Sequence, residues 1–193
     1  MVLAASFVLP ALPAAADVRT TTTTRSYSVG GSTASALVSY MRSRPLQGDY
    51  GNAVANIHPT YSLRVATAAG KGGCRASNVT LSIHFRLTLP TARSTSSMAA
   101  STRSAWNSFA AYARRHEDTH KRIYVQCGNN FVAKARRITA SSCAAVQASI
   151  RRLLESEKRI CETKQRAYDR AERSRVAGMS LFTMARGRSR GRR

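Results

Sequence analysis

The chain of 193 residues has no stretch approaching the roughly 20 consecutive apolar residues that a membrane-spanning helix needs, so the mature protein is expected to be soluble. It is also poor in carboxylates, with 9 Asp+Glu against 31 Lys+Arg and a formal charge of +22. None of its four cysteines has C-x-x-C spacing, which argues against a zinc site built from four thiolates and against a thioredoxin-type pair. There is no internal repeat. Stacking aromatics and nucleic-acid recognition motifs are missing too, so nucleic-acid binding would rest on charge alone and is not the expected role.

The positive charge is what the chain has in excess. It predicts attraction to polyanions, such as an acidic cell-envelope polymer or an anionic membrane surface, or it is simply a solvated basic surface. Cys74, Cys127, Cys143 and Cys161 form an even set. In an exported protein that means two disulfides, with three connectivities open. Bridges that tie a long C-terminal helix to the preceding helix and to the sheet would be the useful ones. Export is suggested by residues 1–16, a short apolar run ending in Ala14-Ala15-Ala16 before Asp17, although the basic leader of a signal peptide is missing.

Against this background Arg115-His116-Glu117-Asp118-Thr119-His120 stands out. With 4 His and five Glu in the chain, random placement would produce His-Glu-x-x-His in roughly two such chains per thousand. The segment from about Ala99 to Cys127 reads as helix, and residues four apart lie on one face. Trp106, Phe109, Ala113, His116, His120, Tyr124 and Cys127 share that face, with Glu117 at its edge. The spacing points to two imidazoles on one zinc ion, with the Glu117 carboxylate taking the proton of the attacking water. The plainer reading is two core histidines hydrogen-bonded to carbonyls beside a glutamate paired with arginine.

Around this helix the pattern is α+β. A Thr-rich first strand runs to Gly30-Gly31, and a helix from about Ala34 to Arg44, capped by Ser32 or Thr33, is stopped by Pro45. Residues 47–52 read as loop. Strands at about 53–68 and 78–89 flank Gly70-Lys71-Gly72-Gly73; in the second, Val79 to Leu89 alternates with polar residues at period two and Pro90 ends it. His84 falls on the polar face of that strand and His58 at an edge, and both read as structural or exposed. Gly128 marks a helix break, a short basic helix covers 131–137, and a long helix spans about Cys143 to Ala177. The inner face of that helix reads as Val146, Ile150, Leu153, Glu157, Ile160, Cys161, Lys164 and Tyr168.

Several of these features occur together, in order, over about Tyr27 to Asp169. They are Tyr27-Ser-Val-Gly-Gly31, Arg44-Pro45, Cys74 before the alternating strand, Trp106-x-x-Phe109 before the His-Glu-x-x-His helix, and Gln165-x-x-Tyr168-Asp169. The ordered set resembles a bacterial family of predicted secreted zinc-dependent proteases, otherwise a domain of unknown function. The resemblance implies an exported zincin-like hydrolase. In the resembled pattern a histidine follows Tyr-Asp as a natural third ligand, and this chain has Ser174 there, a poor zinc ligand. Asp169, Glu172 and Glu157 are the remaining candidates, each equally able to pair with a neighbouring Lys or Arg.

The expected molecule is therefore a small antiparallel sheet packed with the His-Glu-x-x-His helix and a long C-terminal helix. Residues 17–177 form one zincin-like domain, between a signal segment at 1–16 and a basic disordered tail at 178–193. The expected function is a secreted or periplasmic bacterial metallopeptidase holding one zinc ion and acting on a peptide or protein. Glu117 is the base and Tyr168 a candidate to stabilise the oxyanion. The alternative is a catalytically degenerate relative that binds envelope or other polyanions.

Overall fold

A computed structural model describes residues 18–190; the signal segment expected at 1–16 lies outside the described residues. The architecture is α+β, with helices packed on one face of a sheet. Strand β1 (Val18–Val29) leads through Gly30-Gly31 into helix α1 (Ala34–Ser43), whose first turn is capped by Thr33 accepting from the Ala36 N–H at 3.2 Å. Gly31 has φ +130, and a Cβ there would stand 2.9 Å from the Leu37 backbone nitrogen, so the tight entry into α1 needs glycine. The segment expected as loop forms a small hairpin, β2 (Leu46–Gly48) and β3 (Gly51–Ala53), with Asp49-Tyr50 at its tip.

The two long strands β4 (Asn56–Gly70) and β5 (Gly73–Ala92) pair antiparallel around Lys71-Gly72. Val79, Leu81, Ile83, Phe85 and Leu87 of β5 are all buried under the helices, as the period-two pattern requires. The sheet is not purely antiparallel. β1 runs parallel to β5, from Val18 opposite Leu81 to Val29 opposite Ala92, giving the order β1-β5-β4. The connection that returns the chain through α1 and the small hairpin is long enough for a parallel pairing. Pro90 does not end β5 either: β4 has already stopped at Asn56 opposite Thr88, so one side of the strand is open there and a missing N–H is tolerated.

Helix α2 (Ala100–Ala135) is continuous, without the expected break at Gly128. Gly128 is buried where the helix crosses the sheet, and a Cβ on it would meet side chains of Leu81, Val18 and Ile83 at 3.2–3.3 Å. Close approach, not a helix end, accounts for this glycine. A two-residue strand β6 (Thr139–Ala140) pairs with the start of β5, and Ser142 caps helix α3 (Cys143–Gly178) by accepting from the Ala145 N–H at 3.2 Å.

Both disulfides anchor α3. Cys74–Cys143 ties its N-terminus to β5, and Cys127–Cys161 ties its middle to α2. The inner face of α3 is a stripe of every fourth residue, Glu157, Cys161 and Gln165, continued by the half-buried Asp169. Ile160, expected inside, is 46% exposed, and Lys164 is exposed as well. The stretch expected as a disordered tail contains helix α4 (Ser180–Arg190), and its last residues, 191–193, lie outside the described range. Leu181 is fully buried, and Phe182 meets Phe109 edge-on at 5.4 Å between ring centres. Together with Val29, Leu37, Met41 and Trp106 they form a second core, which fixes the N-terminal half of α2.

Candidate metal centre

Helices α2 and α3 cross where the first contributes His116, Glu117 and His120 and the second contributes Gln165, Tyr168 and Asp169. One turn separates the two histidines, and their Nε2 atoms lie 3.0 Å apart. Asp169 completes the group, its Oδ1 standing 3.1 Å from His116 Nε2 and 2.9 Å from His120 Nε2. These three residues are the cluster of potential metal ligands found among the described residues. Tetrahedral zinc with ligands at about 2.0–2.2 Å keeps its donor atoms roughly 3.3–3.5 Å apart. The separations of 2.9 to 3.1 Å are a few tenths of an ångström shorter and are hydrogen-bond distances; by chemistry, two imidazoles and one carboxylate are a donor set that could hold a metal ion.

The surrounding groups orient these donors. Gln165, fully buried, places its Oε1 2.5 Å from His120 Nδ1 and donates its amide N–H to the His120 carbonyl at 3.1 Å. An acceptor at Nδ1 holds the proton there and leaves Nε2 free to ligate. The ring of Tyr168 stacks on His116 at 4.8 Å and meets His120 edge-on at 5.0 Å. On its other side His116 has the Tyr112 hydroxyl 3.4 Å from Nδ1, and that hydroxyl donates to Glu172 at 2.8 Å.

Glu117 is 5% exposed, and burial pushes its carboxyl up to about 7. His120, His116 and the Ile57 N–H oppose that shift without cancelling it. Burial disfavours the charged form of His120, but its bonds to Asp169 and Gln165 outweigh this and raise its pKa. Burial likewise disfavours the Asp169 carboxylate, yet the two histidines beside it hold its pKa well below the usual range.

The three carboxylates considered as third ligand thus separate. Asp169 joins the histidines. Glu172 is turned to Tyr112 and to Arg175, 3.6 Å away. Glu157 lies three turns back along α3, about 18 Å by the helical rise, and binds Lys134 Nζ at 2.7 Å. Ser174 is exposed. His58 bonds Asp49 at 2.8 Å, and His84 bonds Thr21 Oγ1 at 2.8 Å on the polar side of the sheet; neither joins the cluster.

The cluster opens into a cavity of about 520 Å³ between α1, the β2–β3 hairpin, the start of β4 and α2, which His116, Glu117, His120 and Asp169 all line. Tyr50 and Tyr124, with hydroxyls 3.0 Å apart, line it too, whereas Tyr168 does not. A family model described as "Bacterial protein of unknown function (DUF922)" matches residues 24–176. The chain belongs to that family. The DUF922 region runs from β1 to the end of α3 and holds every residue of the cluster, together with both disulfides. Neither a curated protein nor a solved structure matches the chain.

Sequence reasoning had no role for Gln165, Tyr112, Tyr50 or Tyr124. For Gln165 a signal existed: it continues the Glu157-Cys161 spacing by four, and a polar residue there must find a buried partner. Tyr112 and Tyr124 continue the His116-His120 spacing by four in each direction along α2, a signal that is local, whereas Tyr50 is brought in by tertiary packing.

Proposed function

We propose that this DUF922 protein is a zinc-dependent peptidase in which His116, His120 and Asp169 hold the ion and Glu117 is the general base. The observation that carries the reading is the placement of Asp169 Oδ1 within 3.1 Å of both histidine Nε2 atoms, beside a buried glutamate and at an open cavity. A zinc ion held by these donors supplies Lewis-acid polarisation of a carbonyl and makes water more acidic. Glu117, buried beside the cluster and lining the cavity, is suited by position to accept a proton from the attacking water and return it to the departing amine. Tyr50 and Tyr124 are placed in the cavity to donate to a carbonyl oxygen that gains charge. Gln165 positions His120 and makes no contact with substrate in this account.

Two disulfides suit an oxidising compartment, and among the described residues no helix is long and apolar enough to cross a membrane. Secretion or a periplasmic location is the corresponding proposal. The competing function, a degenerate module that binds polyanions through its basic surface, is favoured by Ser174 standing where the resembled pattern carries a histidine. The two are separated by hydrolysis of a casein or mixed-peptide substrate. A peptidase loses activity to a chelator, regains it with zinc, and falls by about 10²-fold or more with Glu117→Gln. Activity that survives the chelator, or none in zinc-loaded protein, contradicts the peptidase reading.

A further inference from the structure

Beyond His116 and Asp169 the cavity continues into a second lobe of about 310 Å³ between α1, α3 and α4. Arg42, in the last turn of α1, and Arg173, one turn past Asp169 on α3, line both lobes. Two guanidinium-bearing side chains from different walls therefore border the passage from the metal cluster into this lobe. Neither has a hydrogen bond or ion pair among the described residues. The lobe's carboxylates are already engaged, Asp169 by the histidines and Glu172 by Tyr112 and Arg175. Arg186 at its far end donates to the Ala177 carbonyl at 2.7 Å.

Uncompensated positive charge beside a cation site weakens cation binding, so these arginines do nothing for the metal. They match an anion that arrives with the substrate. Arginine favours carboxylates in particular, because its planar fork can donate two N–H bonds to one group. Val176 and Phe182 add apolar wall for the carbon chain that carries such a group.

Building on the peptidase reading, we infer that the second lobe is a subsite for a substrate carboxylate adjacent to the scissile amide, with Arg42 and Arg173 as specificity-determining residues. The carboxylate is either an Asp or Glu side chain or a free C-terminus. The proposal therefore concerns substrate class: acidic peptides, or peptides cut next to their end.

The test is fluorescence anisotropy at physiological ionic strength, using the full chain with Glu117→Gln to prevent turnover. Three labelled short peptides are compared: one with a central Glu and an amidated end, one with Gln in its place and a free C-terminal carboxylate, and one with Gln and an amidated end. At least one carboxylate peptide is expected to bind roughly tenfold tighter than the neutral one, and which one does identifies the source. The preference disappears in Arg42→Gln/Arg173→Gln. It persists in Arg19→Gln/Arg64→Gln, which removes equal charge from positions that are exposed, as Arg42 and Arg173 are, but lie on the sheet face away from the helices. Equal binding of all three peptides, or equal loss in the two double variants, would overturn the subsite and reduce the effect to overall charge. Zinc content measured on the same samples reports on the metal site independently, so failure of the subsite is distinguishable from failure of the peptidase reading.

Discussion

Gln165 grips His120 at both ends: its side-chain oxygen lies 2.5 Å from the imidazole Nδ1, and its side-chain nitrogen donates to the His120 carbonyl at 3.1 Å. This clamp links the two long helices at the point where the candidate ligands meet. Gln165→Leu removes both bonds and leaves His120 Nδ1 without an acceptor. Zinc affinity, measured by competition with a chromophoric chelator, is expected to fall by about 10–100-fold. The metal-free protein should lose roughly 1–3 kcal/mol in urea unfolding. Unchanged zinc affinity would show that the ring needs no such orientation.

Glu117 makes metal-free stability depend on pH. Its carboxyl moves from 4.5 in the unfolded chain to about 7 in the folded one, so the folded state binds more protons between those values. The associated stability is fully present below the unfolded value and is lost as pH rises through the folded one. Glu117→Gln has no charge to bury, and its metal-free form should exceed the parent by about 1–3 kcal/mol near pH 8, with the gap closing toward pH 4. Asp169 acts in the opposite sense, because its depressed pKa contributes stability that is lost as acid protonates it. Urea titrations of both proteins across this range check the sign directly.

Gly128 sets how closely α2 lies on the sheet, and Gly128→Val would press two methyl groups into Leu81, Val18 and Ile83. Destabilisation of about 1–3 kcal/mol is expected from overpacking, read as a lower thermal midpoint.

The Cys127–Cys161 bridge closes a loop with a sequence separation of 34 between the two helices that carry the site. Replacing both cysteines by serine should cost roughly 3–4 kcal/mol of unfolding free energy, chiefly through the freer unfolded chain. A mild reductant should lower the parent's thermal midpoint while leaving that variant less affected.

Much of this arrangement is written locally. The alternation of β5, the Thr33 and Ser142 caps and the His-Glu-x-x-His turn are decided by neighbouring residues, and each is legible as sequence. What fails to show depends on partners distant in the chain. The β-branched run of β1 marks it as a strand but does not say that its neighbour runs parallel, and Gly128 looks the same whether it ends a helix or lets one approach a sheet. Pro90 reads as a stop until β4 is seen to have ended before it. On α3 the inner stripe is a few residues wide, so Lys164 and Gln165 are hard to tell apart until α2 selects Gln165. Asp169 could be named among three carboxylates, but only the crossing of α2 and α3 separates it from Glu172 and Glu157.

The most direct test is zinc content by elemental analysis, in the protein lacking residues 1–16, alongside His120→Ala, Asp169→Ala, Glu172→Gln and Glu157→Gln prepared identically. About one zinc per chain is expected in the parent and in both glutamate variants, and loss in His120→Ala and Asp169→Ala. A parent that takes up no zinc under non-denaturing conditions, or an Asp169→Ala variant that holds it as well as the parent does, would contradict a zinc site at His116, His120 and Asp169.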